Sequence, residues 1–584
     1  MVTKLRAVTF ISSLLLFALI RSAVPVTSAQ QPQPQRERRV AAPGKTATAT
    51  PTPSPVPTLT PTAGPEEVPQ ASPQATASRN VVVPKTAATT RTLAELQARI
   101  SDVLRKPALA SAMVGIKVAS LETGKVLFEE DADKLLRPAS NMKLYTVTAA
   151  LDRLSPDYRF VTSVYAPAKS DAQGVVHGDL TIYGRGDPSI AARFNNGDYF
   201  KGIDDLAARI VAAGVKRVEG DLVGDETYFT GPPYGAGWDW DDLQWWYGAE
   251  VSALTSNDNA LDLSVKPGAT VGARAVITTG PPDPLLTIFN GVTTVAKGTR
   301  RDLTVYRALA SDELWISGSI ALDDKGYSGS VGISRPALLF TYLLRSSLAQ
   351  RGVTITGKTR TLAASPAGKF SADPIQSYWL THITSVPAAP PVEIAQMQSP
   401  PLSLIAAQTL KPSQNLYTEL ILRTLGKVVT PPTTTSNADR TSDAAGIDVV
   451  KAFLREAGVS PPTLILTDGS GLSRNDMVTA EATLQLLTYM HRHRYASVFR
   501  DALPIAGVDG TLRNRFKGTV AENNLRAKTG SLSSAASLSG YVTTAAGENL
   551  VFSIMVNNFA EGVEPRAICI DPIAILLASF AGKS

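Results

Sequence analysis

Apolar and polar positions are spread unevenly along the chain, and their pattern divides it before any motif is sought. An apolar run from Ala7 to Ile20 follows Lys4 and Arg6 and is closed by Arg21. It is shorter than the roughly 20 residues a spanning helix needs. Thr27, Ser28 and Ala29 offer small residues for cleavage before Gln30, so residues 1–29 are expected to be a secretory signal peptide. From 30 to 90 the chain is rich in Pro, Thr, Ala and Gln. With TATPTPSPVPTLTPTAGP at its centre it has no apolar face, and it reads as an extended, disordered linker.

Helical periodicity begins at Thr92, which has capping-box spacing to Glu95. Leu93, Leu96, Ile100, Val103 and Leu104 then predict a helix ending near Pro107. MVGIKVASLETGKVLFEED reads as a hairpin, leading into RPASNMKLYTVTAALDRL, a helix with Ser140 in its first turn. Near the carboxyl end SAASLSGYVTTAAGENLVFSIMVNN repeats the hairpin pattern, and a final apolar helix follows Glu564. Strands from both ends of the chain, flanked by helices, predict an α+β fold with an antiparallel sheet. Its two parts would be 91–159 and 390–584. Between them, 160–389 carries many short strands, such as VHGDLTIYGRGDPSI and ELWISGSIALDD. It is expected to be a mostly β insertion of one or two extra domains, with an inner subdomain at about 184–250. Thr430 to Gly446 reads as a polar surface loop.

Composition changes this picture little. With 44% hydrophobic and 18% charged residues the chain can bury a core, and its net charge of +6 comes without a long basic run in the globular part, so nucleic acid is not an expected partner. The single cysteine, Cys569, excludes an internal disulfide framework and reads as a core residue.

The chemistry resides in three short motifs: Ser140-Asn141-Met142-Lys143, Ser413-Gln414-Asn415 and Lys528-Thr529-Gly530. A serine hydroxyl must lose its proton to a neighbouring base as it attacks, and a lysine at i+3 shares its helical face. For Lys143 to serve, its pKa must fall; burial and a second cation, Lys528, are expected to lower it. Ser413 is placed as a proton relay to the leaving amine, and Asn415 as a partner of the substrate amide and of Lys143. Lys528 and Thr529, just before a strand, would bind a terminal carboxylate, with the Ser531 N–H completing an oxyanion hole beside that of Ser140.

This ordered triple is the signature of penicillin-binding proteins and serine β-lactamases. From about Val114 to Phe580 the chain closely resembles the class C penicillin-binding proteins, the D-alanyl-D-alanine carboxypeptidase/endopeptidase family. The resemblance lies in LLRPASNMKLYTVTAAL, GDLTIYGRGDPSI, WDWDD with SALTSNDN, LKPSQNLYTEL, DGSGLSRND and RAKTGSLSSAASLSGYV. The long interval from Ser140 to Ser413 matches the large insertion of that family.

The resemblance implies a penicillin-binding/serine β-lactamase-like transpeptidase domain. It implies an acyl-enzyme on Ser140 formed from a peptidoglycan stem peptide ending in D-Ala-D-Ala, with β-lactam antibiotics as covalent inhibitors. By the same resemblance Asp468, Gly469 and Ser470 help shape the cleft, Gly530 belongs with Thr529 and Ser531 to the substrate-binding strand, and an acid of Trp240-Asp241-Asp242, Asp241 or Asp242, binds the amine end of a diaminopimelyl side chain. Gln414 stands where relatives often carry aspartate; that side chain is expected to point away from substrate. No cofactor and no metal is implied, and an exported protein of the periplasm or cell-wall space, without a membrane span once the signal is cleaved, is expected. A Ser-His-Asp hydrolase or a zinc enzyme would need one of four histidines, His177, His382, His491 or His493, none in a recognisable setting. The reading from another class is a catalytically silent wall-binding or sensor protein that keeps the fold.

Overall fold

The long apolar runs near the two ends of the chain form the central strands of one sheet. In the computed structural model, which describes residues 89–364, 391–429, 440–459 and 463–584, the strand order is Arg526–Leu532, Ala535–Thr543, Asn549–Asn557, Met113–Ser120, Val126–Glu130, antiparallel throughout. Ala535–Thr543 and Asn549–Asn557 are buried at nearly every position, because both faces of the sheet are covered. On one face the first helix, Leu93–Leu104, packs with the last, Asp571–Ser579, over a core of Leu96, Ile100, Phe552, Ile573 and Cys569. Thr92 caps the first helix by accepting from the Glu95 N–H. On the other face lies a helical layer, including Met142–Leu154, Leu402–Leu410, Asn415–Val428, Ser442–Glu456 and Ala480–His491, around a second core.

The region between these parts has its own core, from Val164 to Met397. Its five-stranded sheet runs Thr359–Leu362, Leu222–Asp225, Leu180–Tyr183, Val161–Ala166, Val392–Gln398, and three three-stranded sheets accompany it. The strands that open and close the region, Val161–Ala166 and Val392–Gln398, are hydrogen-bonded neighbours. The chain thus leaves and returns at one place. Two helices, Lys201–Ala212 and Pro336–Gln350, join these sheets in a region whose regular structure is mostly strand.

Three local expectations change. Ser140 sits in a short 3-10 turn, Ala139–Asn141, that feeds the helix Met142–Leu154 rather than in the α-helix itself. Lys528-Thr529-Gly530 lies inside the edge strand Arg526–Leu532 rather than before it. The loop expected up to Gly446 ends earlier, because Ser442–Glu456 is a helix with Ser442, Asp443, Ala445 and Gly446 buried. Its small residues allow close crossing: a Cβ on Gly446 would lie 2.1 Å from the Leu422 carbonyl oxygen. Residues 430–439, the signal peptide, nearly all of the linker and His382 lie outside the described residues. Among the described residues no helix is long and apolar enough to cross a membrane.

Candidate active site

The turn carrying Ser140 is held between the sheet and a glycine-containing loop. Ser537 donates to the Pro138 carbonyl at 2.7 Å, and Asn141 Nδ2 donates to Ser539 Oγ at 2.7 Å, tying the turn to the second strand. Ala139 takes a left-handed φ of 49° just before the serine. Two glycines make room for it. A Cβ at Gly530 would lie 2.5 Å from the Pro138 oxygen, and one at Gly471, itself at φ 78°, would lie 1.9 Å from the Ala139 oxygen. The third motif therefore needs glycine where the strand passes the nucleophile turn.

The three motifs meet around two buried amines. Lys143 Nζ lies 3.0 Å from Ser140 Oγ, 2.6 Å from Asn415 Oδ1 and 2.8 Å from the Ser470 carbonyl oxygen. Two carbonyl acceptors and one hydroxyl match a neutral amine that donates two N–H bonds and accepts the serine proton. Asn415 is oriented by its own Nδ2, which donates to the Tyr247 carbonyl at 2.8 Å and turns Oδ1 toward the lysine. Lys528 Nζ lies 2.8 Å from Ser413 Oγ and 2.9 Å from the Thr529 carbonyl. Ser413 is held at a φ of 67°, a conformation non-glycine residues rarely take. Thr529 Oγ1 bonds Thr511 Oγ1 at 2.8 Å. Ser531 is exposed. The Ala527 N–H leaves the sheet for the Pro504 carbonyl, so by alternation along the strand the Ser531 N–H opens on the same unpaired edge. Gln414 points away from the two amines and caps its helix, accepting from the Leu416 N–H at 2.9 Å as an aspartate would.

Burial is the main cause of the altered basicity. It lowers Lys143 to about 7, against the carboxylates of Asp468, Glu419 and Asp476, which raise it. Lys528 is pushed well below its usual value by burial first and by Lys143 second. The cation that was expected to depress Lys143 is thus itself the one depressed by repulsion.

The remaining expected residues divide. Asp468 does not face the two serines: its carboxylate gathers the N–H groups of Gly471, Leu472 and Ser473, the Ser470 hydroxyl and, at 2.7 Å, the Trp238 indole N–H. It shapes the loop whose Ser470 carbonyl touches Lys143. Asp242 is buried and paired with Arg474, which also reaches Asp239 at 2.8 Å; Asp241 is exposed. The three carboxylates lie within 4.8 Å of one another, and the guanidinium already answers two of them. Asp241 is therefore the freer acid on this rim, beside the exposed Trp240. His177 stands exposed between Asp171 and Glu219, and His493 bonds Asp152, neither with a serine hydroxyl.

Sequence reasoning missed Thr146, Glu419, Trp238, Tyr247 and Arg474. Helical spacing from Lys143 and Asn415 could have found the first two. The last three come from, or pair with, a segment whose approach only the folded insertion reveals.

The chain matches the D-Ala-D-Ala carboxypeptidase 3 (S13) family over residues 96–383 and 380–579. It is 34% identical to a D-alanyl-D-alanine carboxypeptidase of Actinomadura sp. (strain R39), over 84% of this chain and 86% of that one. It is 24% identical to the D-alanyl-D-alanine carboxypeptidase DacB of Haemophilus influenzae, over 79% and 89%. The crystal structure of penicillin binding protein 4 from Haemophilus influenzae superposes with a TM-score of 0.68 at 22% identity, covering 83% of this chain and 99% of that one. A second structure of that protein, complexed with a β-lactam, gives 0.63 at 21% identity, covering 82% and 98%. Motifs joined around two buried amines, a shared fold and a match across almost all of the described chain agree: this protein belongs to the D-Ala-D-Ala carboxypeptidase 3 (S13) family.

Proposed function

We propose that the chain is a serine-type D-Ala-D-Ala carboxypeptidase, with DD-endopeptidase action on cross-linked stem peptides, and that β-lactams block it by acylating Ser140. The observation carrying this is the Lys143 amine, buried and in hydrogen-bond reach of Ser140 while its other two contacts are carbonyl acceptors. Ser140 Oγ attacks the penultimate D-alanine carbonyl and its proton passes to Lys143. The oxyanion is held by the N–H groups of Ser140 and Ser531. As the peptide C–N bond breaks, Ser413 relays a proton to the leaving amine. Lys528, Thr529 and Ser531 receive the terminal carboxylate of a carboxypeptidase substrate, while Asp241 attracts a side-chain amine. Water then frees Ser140.

Residues 160–389 act in this reading as an insertion whose inner part brings Tyr247 and Trp238 to the site. The amino-terminal apolar run exports the protein to the periplasm or cell-wall space, where its polymer substrate lies. A silent wall-binding protein would have no use for a lysine buried and lowered in this way.

The test is digestion of purified peptidoglycan with mass analysis of the fragments. Loss of single D-alanines is expected, with falling dimer content where cross-links are also cut. Unchanged fragments would refute the reading. The pH dependence has a definite sign: the base must be neutral, and it gains its proton as pH falls through about 7. Acylation by penicillin should drop about tenfold per pH unit below that point and level off above it.

A further inference from the structure

Two helices deliver a motif residue to the site, and each sends a second residue, about one turn later, to the same glycine, Gly469. On Met142–Leu154, Lys143 bonds the Ser470 carbonyl, and Thr146 Oγ1 donates to the Gly469 carbonyl at 2.8 Å. On Asn415–Val428, Asn415 accepts from Lys143, and Glu419 Oε1 accepts from the Gly469 N–H at 3.0 Å. Gly469 is thus gripped at its N–H and at its carbonyl by groups outside the three motifs, next to the Ser470 carbonyl that Lys143 reaches. Thr146 and Glu419 are completely buried, so no bulk water competes for these bonds.

A buried carboxyl is costly to keep. Burial, with Asp468 nearby, raises Glu419 to about 8. Arg423, on the same helix, is the cation that opposes this rise, and its guanidinium also faces Asp443. A leucine at 419 would serve packing without this cost, so the contact with Gly469 marks the carboxyl's use. We propose that Glu419, together with Thr146, is a positioning residue for acylation: the two fix Gly469 and thereby the next carbonyl along the chain, that of Ser470, which holds the Lys143 amine in line with Ser140. With that carbonyl displaced, the amine loses one of its two acceptors and is free to turn its lone pair from the hydroxyl.

This rests on Ser140 and Lys143 acting as nucleophile and base, which labelling of the unaltered protein tests separately. The experiment is stopped-flow acylation by a fluorescent penicillin over a concentration series, which separates pre-covalent affinity from the first-order acylation constant. Glu419→Ala is expected to lower the first-order constant by about tenfold to a hundredfold, the scale of a misplaced catalytic group, with affinity unchanged. Glu419→Gln, which can still accept from the Gly469 N–H, is expected to stay close to the unaltered protein. Thr146→Val, of nearly the same shape, should lower the same constant, and it carries the test if Glu419→Ala does not fold. Normal acylation in Glu419→Ala, a loss confined to affinity, or Glu419→Gln as slow as Glu419→Ala would each overturn the proposal while leaving Ser140 and Lys143 in their roles.

Discussion

Ser140→Ala is expected to abolish covalent labelling by penicillin while leaving the fold intact. The hydroxyl is only partly buried, and its hydrogen bond is to Lys143, so its removal opens no large cavity. Mass analysis of tryptic peptides from the labelled protein should find the adduct on the peptide containing Ser140, and none in the variant. The informative failure is a label on Ser413. That serine also faces a buried lysine, Lys528, at 2.8 Å, and its modification would exchange the roles of the two pairs. Loss of the label together with loss of the folded state would not count, so a thermal melt accompanies the measurement.

Lys143→Ala should acylate at least about a hundredfold more slowly, the scale of losing a positioned base. The expected signature goes beyond a lower rate. The fall in acylation below about pH 7 belongs to this amine, so the residual rate of the variant should lose that dependence. Penicillin should still bind before the covalent step, because Lys528, Thr529 and Ser531 are untouched. Near-normal acylation would remove Lys143 from the role of base and direct attention to Lys528, the other buried amine with lowered basicity.

Much of this could be read from residue order. The terminal hairpins and the first helix with its Thr92 cap follow from local patterns, because apolar periodicity and capping act within a few residues, whereas the meeting of three distant motifs was legible only through the resemblance that their order carries. The errors have local causes too. The Thr430 to Gly446 stretch looked like a loop because serine, aspartate and glycine are poor helix formers; tight packing against Leu422 outweighs that preference. The Lys528 strand began earlier than expected because Arg526 already pairs with Tyr541. What stayed hidden depends on contacts between parts far apart in the chain. Nothing near Trp238 indicates that its indole will reach Asp468, and nothing near Tyr247 marks its carbonyl as the group that orients Asn415.

That last pair of contacts bears on how such proteins can be re-engineered. Because the long insertion departs and returns through adjacent strands, it looks like a cassette that could be cut out and resealed with a short turn. Excision would nevertheless take away the acceptor for one side-chain amide and the indole donor for one carboxylate, both in the catalytic half of the molecule. A trimmed or chimeric version has to bring its own substitutes for these two bonds, or it will keep the nucleophile and lose the alignment of its base.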